Sequence, residues 1–105
     1  MGRETNIVQD IRLALSKEGC LIWRNNTGAL EDKRGRWVHF GLCKGSSDLI
    51  GIMPDGRFLA IEGKAPGEQP RADQLDFLNA IKAKGGVAGW VTTPEQAVEI
   101  VRSAQ

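Results

Sequence analysis

In the segment FLAIEGK, Glu62 and Lys64 stand two residues apart at the end of an apolar run that reads as a strand. Successive strand side chains point to opposite faces, so Phe58, Ala60, Glu62 and Lys64 share one side while Leu59, Ile61 and Gly63 share the other. A carboxylate and an amine side by side on a rigid strand end can bind a hard cation and polarise a water next to it. Alone, the pair reads better as a surface ion pair of little value to stability.

Asp48 shifts that balance. It opens the run DLIGIM, and the PDG at Pro54–Gly56 reads as a tight turn that folds this run back against RFLAIEGK. The partner of Glu62 then falls near Leu49, which brings Asp48 opposite the Glu62–Lys64 pair or one residue from it. Two carboxylates and a backbone carbonyl on adjacent strand ends supply the oxygen ligands magnesium prefers, with positions left for water and a phosphate. Taken singly, Asp48 is an ordinary strand-start aspartate. The small Gly63 leaves its backbone open to close approach by a ligand.

Two helical residues extend the set. Glu4 precedes Ile7, Val8 and Ile11 by three, four and seven, and Gln74 stands three and four before Phe77 and Leu78, so both point inward. Inward polar groups need partners. Glu4 is a candidate further ligand for a metal or water, or else a favourable charge at a helix start. Gln74 can orient Lys64, the water or a DNA phosphate, or else sit at the rim.

The elements that must position these groups are short. Thr5–Lys17 has helical apolar spacing and Gly19 follows as a stop; CLIWRN, DLIGIM and RFLAIEGK read as strands; Ala72–Lys84 is a helix ended by Gly85 and Gly86. VAGWV is a further strand, and TPEQAVEIV opens a last helix with Thr93 as N-cap, Pro94 at its first position and Gln96 completing a capping box. The order is αβββαβα, an α/β chain whose central mixed sheet is flanked by helices on both sides. Asn26–Ser47 shows no periodicity and no element is expected there.

At 105 residues and 11.4 kDa, the chain reads as one domain spanning 1–105. A charged fraction of 26% and a hydrophobic fraction of 41% argue against disorder and against a membrane protein. No apolar run approaches the roughly 20 residues of a membrane span and no signal peptide opens the chain, so an intracellular location is expected. Cys20 and Cys43 lack metal or redox spacing and are read as packing residues. Net charge is +1, yet Arg24, Lys33, Arg34, Arg36 and Lys44 face only Glu31 and Asp32 across residues 24–44. Such a basic strip, with Asn25, Asn26, Trp37 and His39 nearby, suits phosphate contacts or is simply a solvated loop.

GSSDLIGI, FLAIEGKAP and QLDFLNAIKAKGG, on elements in this order, resemble the PD-(D/E)xK nuclease superfamily with its restriction-endonuclease-like core, and most closely the small members of its viral replication and repair nuclease (VRR-NUC) branch. The resemblance covers nearly the whole chain. It implies hydrolysis of DNA phosphodiester bonds with Mg2+ or Mn2+, no other cofactor, and a place in replication, recombination or repair. By carry-over, Asp48, Glu62 and the Gly63 carbonyl hold metal, Glu4 matches a first-helix glutamate, Lys64 positions water and stabilises charge, and Gln74 is the helix residue of the motif. Two departures stand out. Ser47 occupies the place of a proline common before the aspartate, which loosens the approach to Asp48, and Gly63 replaces a β-branched residue.

Similarity to junction-resolving enzymes implies a homodimer acting on branched DNA. Lys33, Arg34, Arg36 and Lys44 are the candidate DNA contacts. Trp23, Trp37, Phe40, Leu42 and Trp90 can include a dimer interface, although core burial is the default for most of them. Rival readings are a nuclease acting on linear duplex, flaps or RNA, and a catalytically idle DNA-binding module. A zinc site on His39 and Cys43 is the weakest, since one His and two Cys cannot fill four positions without carboxylates.

Overall fold

Helix α1 (Arg3–Lys17) lines Val8, Ile11 and Leu15 along one stripe, each at most 3% exposed. The chain then runs through β1 (Leu21–Arg24), β2 (Gly28–Glu31), β3 (Trp37–Phe40), β4 (Leu49–Ile52), β5 (Phe58–Gly63), α2 (Ala72–Ala83), β6 (Val87–Val91) and α3 (Pro94–Ser103). The computed structural model describes residues 3–105, with side chains from residue 6 onward.

The main sheet has the order β1-β4-β5-β6. Its centre is fixed by the expected turn: the Met53 N–H donates to the Arg57 carbonyl and Gly56 N–H to that of Met53, while Asp55 Oδ1 accepts from the Arg57 N–H. That short connection locks β4 against β5 in antiparallel register, Leu49 opposite Ile61 and Ile52 opposite Phe58. β1 adds to β4 antiparallel, and β6 pairs with β5 in parallel after the α2 crossover. The mixed sheet flanked by helices is therefore the architecture expected.

Helices α1 and α3 cover one face of the sheet and α2 the other. Leu59 and Ile61, both fully buried, belong to the larger core with Val8, Ile11, Leu15 and Val101; Ala60 turns to the opposite face against Leu78 and Ala88. Thr93 Oγ1 accepts from the Gln96 N–H at 3.2 Å, and Gln96 Oε1 accepts in return from Thr92 rather than Thr93, a capping box displaced by one residue. No described helix is long and apolar enough to cross a membrane.

Three expectations fail. Residues 26–47 contain a β2–β3 hairpin, paired Leu30 to Val38 and Glu31 to Trp37, which forms a separate two-stranded sheet. Cys20 packs in the core, whereas Cys43 is exposed. Nor does burial hold for the large apolar residues: Trp37 is 67% exposed, and Trp23, Phe40, Leu42 and Trp90 are all exposed as well. Trp37, Phe40 and Leu42 lie in or just after the β2–β3 hairpin, which stands off the main sheet, whereas Trp23 and Trp90 lie on the edge strands β1 and β6 of the main sheet.

Candidate active site

β4 and β5 bring Asp48 and Glu62 together. Because Leu49 pairs with Ile61, the next residues outward are Asp48 and Glu62. The Asp48 N–H donates to Glu62 Oε1 at 3.0 Å, and the Gly63 N–H donates to Asp48 Oδ2 at 3.2 Å. Each carboxylate thus extends the ladder past the point where backbone pairing stops.

Glu62 is only 1% exposed, and its Oε2 is buried with no hydrogen-bond partner among the described residues. Burial pushes its pKa up to about 8, reinforced by the Asp48 carboxyl beside it; the Asp48 N–H and the positive charge of Lys64 pull the other way. Lys64 is 8% exposed, and its backbone N–H carries the β5–β6 pairing one step further by donating to Val91 at 2.9 Å. Lys64 therefore lies within electrostatic reach of Glu62, on the strand end that Asp48 meets.

An oxygen donor set with one desolvated, unpartnered carboxylate oxygen suits a hard divalent cation. Among the described residues, no three His, Cys, Asp or Glu side chains cluster as a metal-binding group. Asp48 and Glu62 make two. The third expected carboxylate, Glu4, belongs to α1 by its backbone, and its side chain lies outside the described residues. His39 and Cys43 are both exposed.

Gly63 is small for a reason the sequence reading did not identify. A Cβ there would stand 3.1 Å from Val8 Cγ2 and 3.2 Å from Ile11 Cδ1, so the missing side chain makes room for α1. The space goes to packing; close approach of a ligand to this face of Gly63 is blocked by the helix.

Gln74 is 8% exposed, as its inward position requires, and its Oε1 accepts from the Arg71 N–H at 2.8 Å. That bond caps α2. The basic strip is divided by the hairpin. Lys33, Arg34 and Arg36 occupy its turn, where Asp32 Oδ1 accepts from the N–H groups of Arg34 and Arg36 and Oδ2 pairs with Arg36 Nε at 2.9 Å. Lys44 is instead at the hairpin base, in a groove shared with Arg71.

Asn25, expected only as a neighbour of the basic strip, has a positioning role that was not anticipated. Its N–H donates to the Asp48 carbonyl at 2.8 Å, and its Nδ2 donates to Ser46 Oγ at 2.8 Å and to the Ser47 carbonyl at 2.9 Å. Ser47 Oγ in turn donates to the Leu49 carbonyl at 2.7 Å. The looseness expected from Ser47 is thereby replaced by a set of hydrogen bonds that holds the approach to Asp48. The sequence offers only an amide at the end of CLIWRN, beside the basic strip, too common a feature to mark this role.

A solved structure described as a VRR_NUC domain has the same fold, with a TM-score of 0.67 and 19% identity over 97% of each chain. No curated protein matches. The sequence itself matches the profile of the VRR-NUC domain over residues 2–93. With nearly all its elements inside that span, and with the matching fold, the chain belongs to the VRR-NUC family and carries its nuclease-type architecture.

Proposed function

We propose that this protein is a metal-dependent DNA endonuclease, selective for branched substrates, in which Asp48, Glu62 and the Gly63 carbonyl hold Mg2+ or Mn2+. The observation that carries the reading is the cross-strand carboxylate pair, with Glu62 Oε2 buried and without a hydrogen-bond partner among the described residues. Burying such a group is costly without a partner, and a divalent cation is the partner its chemistry suits. Glu4 is a further candidate ligand.

In hydrolysis, the water oxygen bonds to phosphorus as the bond to the leaving sugar oxygen breaks; the water gives up a proton and the leaving oxygen gains one. A bound divalent ion would acidify the water and neutralise phosphate charge. Lys64 acts as an ammonium clamp, donating to a phosphate oxygen where negative charge builds up. Gln74, anchored by its Oε1, presents its Nε2 amide toward the substrate. Lys33, Arg34, Arg36 and Lys44 contact flanking phosphates.

The functional unit is a homodimer. A hairpin standing alone is marginally stable in water, and Leu30, Trp37 and Val38 are each about half exposed or more. Its unpaired edges are self-complementary about a two-fold axis, so a second copy is the occupant proposed. Light scattering should give the mass of two chains at micromolar concentration.

The test of activity is a panel of labelled junctions, flaps, single strands and duplexes incubated with Mg2+ or Mn2+. Branched DNA should be cut, and Glu62→Ala or Lys64→Ala should lower the rate by about 10²- to 10³-fold or more while the fold survives. Full activity in either variant overturns the assignment. Tight DNA binding without cleavage or metal binding would favour the idle module.

A further inference from the structure

Where the hairpin joins the main sheet, a groove of about 340 Å3 is lined by Gly28, His39, Phe40, Leu42, Lys44 and Arg71. It lies on the chain segment that leads into the carboxylate pair. Gly45, with φ +87°, presses so close to α2 that a Cβ would stand 2.8 Å from the Asp73 carbonyl oxygen. The loop is thus locked to the helix three residues before Asp48.

The groove combines two kinds of surface. Phe40 is the register partner of Gly28, and a Cβ on Gly28 would come within 2.7 Å of the Phe40 ring. The ring therefore rests on bare backbone, yet 43% of the residue remains exposed. A fixed ring with open surface is what a nucleobase stacks on. Around it stand Lys44 and Arg71, the latter held at Nε by Asp73 Oδ1 at 3.1 Å with 63% of its side chain exposed. Two cations against one carboxylate leave a net positive rim, complementary to a phosphate.

The volume sits near the lower end of the range for small-molecule sites, about 300–1,000 Å3, which is room for one nucleotide. Inside a continuous duplex both faces of a base are covered by its neighbours, so a base must leave the stack to lie on this ring. We infer that this groove binds an unpaired nucleotide of the substrate, its phosphate on Lys44 and Arg71 and its base on Phe40. The inference rests on the nuclease reading for its role, since it makes single-stranded character near the cut a requirement, but the binding itself needs no cleavage.

The test uses metal-free protein in chelator, titrated with 5′-phosphorylated dithymidylate, inorganic phosphate or a blunt duplex and followed by amide NMR shifts. The dinucleotide should move the signals of His39, Phe40, Lys44, Gly45 and Arg71, and inorganic phosphate should bind about tenfold more weakly. Phe40→Leu should weaken the dinucleotide about tenfold and leave phosphate unaffected, whereas Lys44→Ala should weaken both. Shifts centred elsewhere, equal affinity for phosphate and dinucleotide, or an unchanged Phe40→Leu variant would overturn the groove assignment. Mapping on the unaltered chain keeps the test decisive if a variant fails to fold. Dinucleotide binding here without Mg2+-dependent cleavage of any labelled DNA would sink the nuclease reading and spare the groove; cleavage without binding here would do the reverse.

Discussion

Asp48 and Glu62 each take a hydrogen bond from the other's strand: Asp48 N–H to Glu62 Oε1 at 3.0 Å, and Gly63 N–H to Asp48 Oδ2 at 3.2 Å. Two backbone donors orient two carboxylates but cannot neutralise both. Without a cation the cost falls on the more buried partner, and Glu62 retains its proton up to about pH 8. On the proposed reading, a divalent ion would displace this proton.

The first prediction concerns stability against pH. Between the ordinary value of 4.5 and about 8, the unfolded chain has released the Glu62 proton while the folded chain still holds it. The folded state binds more protons there, so this contribution is complete below 4.5 and is lost as pH rises through about 8. Glu62→Gln stays neutral and keeps an acceptor for the Asp48 N–H. Its stability relative to the parent should rise across that window by on the order of a few kcal/mol, read from urea midpoints without metal at about pH 5, 7 and 9. A constant difference would contradict it.

Metal binding should expel the same proton. Calorimetry with Mn2+ in two buffers of different ionisation heat should show about one proton released near pH 6 and almost none near pH 9, with affinity rising roughly tenfold per pH unit below the Glu62 pKa. Binding without proton release near pH 6 would show that Glu62 is not a ligand.

The strands that carry this pair were legible because DLIGIM-PDG-RFLAIEGK is self-limiting: a tight turn leaves one register, and Asp48 could be set beside Glu62 to within a residue. β2 and β3 were not, because alternation marks a strand only when one face is buried, and here Leu30, Trp37, Val38 and Phe40 are all exposed. Their turn, DKRGR, reads as a charge run. Large apolar residues default to the core in any single-sequence reading, and nothing in the residues says that this hairpin leaves the sheet. Gln74 was legible as buried, but its Arg71 partner depends on cap geometry.

Gly63 is expected to resist enlargement. With Val8 and Ile11 only 3.1 and 3.2 Å from where its Cβ would sit, Gly63→Val overpacks the α1–β5 contact and should cost about 1–3 kcal/mol by denaturant unfolding. Trimming the neighbour with Ile11→Val should recover part of the loss, so the double variant is more stable than the two single costs combined predict. Strict additivity would place the strain elsewhere.

The hairpin turn should govern the salt dependence of DNA binding. Lys33 and Arg34 are exposed, whereas Arg36 is tied to Asp32. Lys33→Ala and Arg34→Ala should each reduce the slope of log affinity against log salt by about 1, whatever the DNA sequence, with Arg36→Ala having a smaller effect. Filter binding over a range of salt concentrations, with chelator present, reads this out. Slopes unchanged in all three would remove the turn from the interface.

Asn25 should act on metal binding through Asp48. Asn25→Ala deletes both Nδ2 donations, to Ser46 and Ser47, and keeps the N–H that pairs with the Asp48 carbonyl. Two lost hydrogen bonds cost about 1–3 kcal/mol of stability, which a structural role alone would also produce. Positioning adds two effects: faster hydrogen exchange at the amides of Asp48 and Gly63, and Mn2+ affinity weakened about tenfold, a typical loss when a residue supporting a ligand is removed. Ser46→Ala, which removes one of the two acceptors, should show both effects at smaller amplitude. If Asn25→Ala loses stability while Mn2+ affinity and those two amides stay as in the parent, Asn25 holds the loop and has no part in orienting the carboxylate.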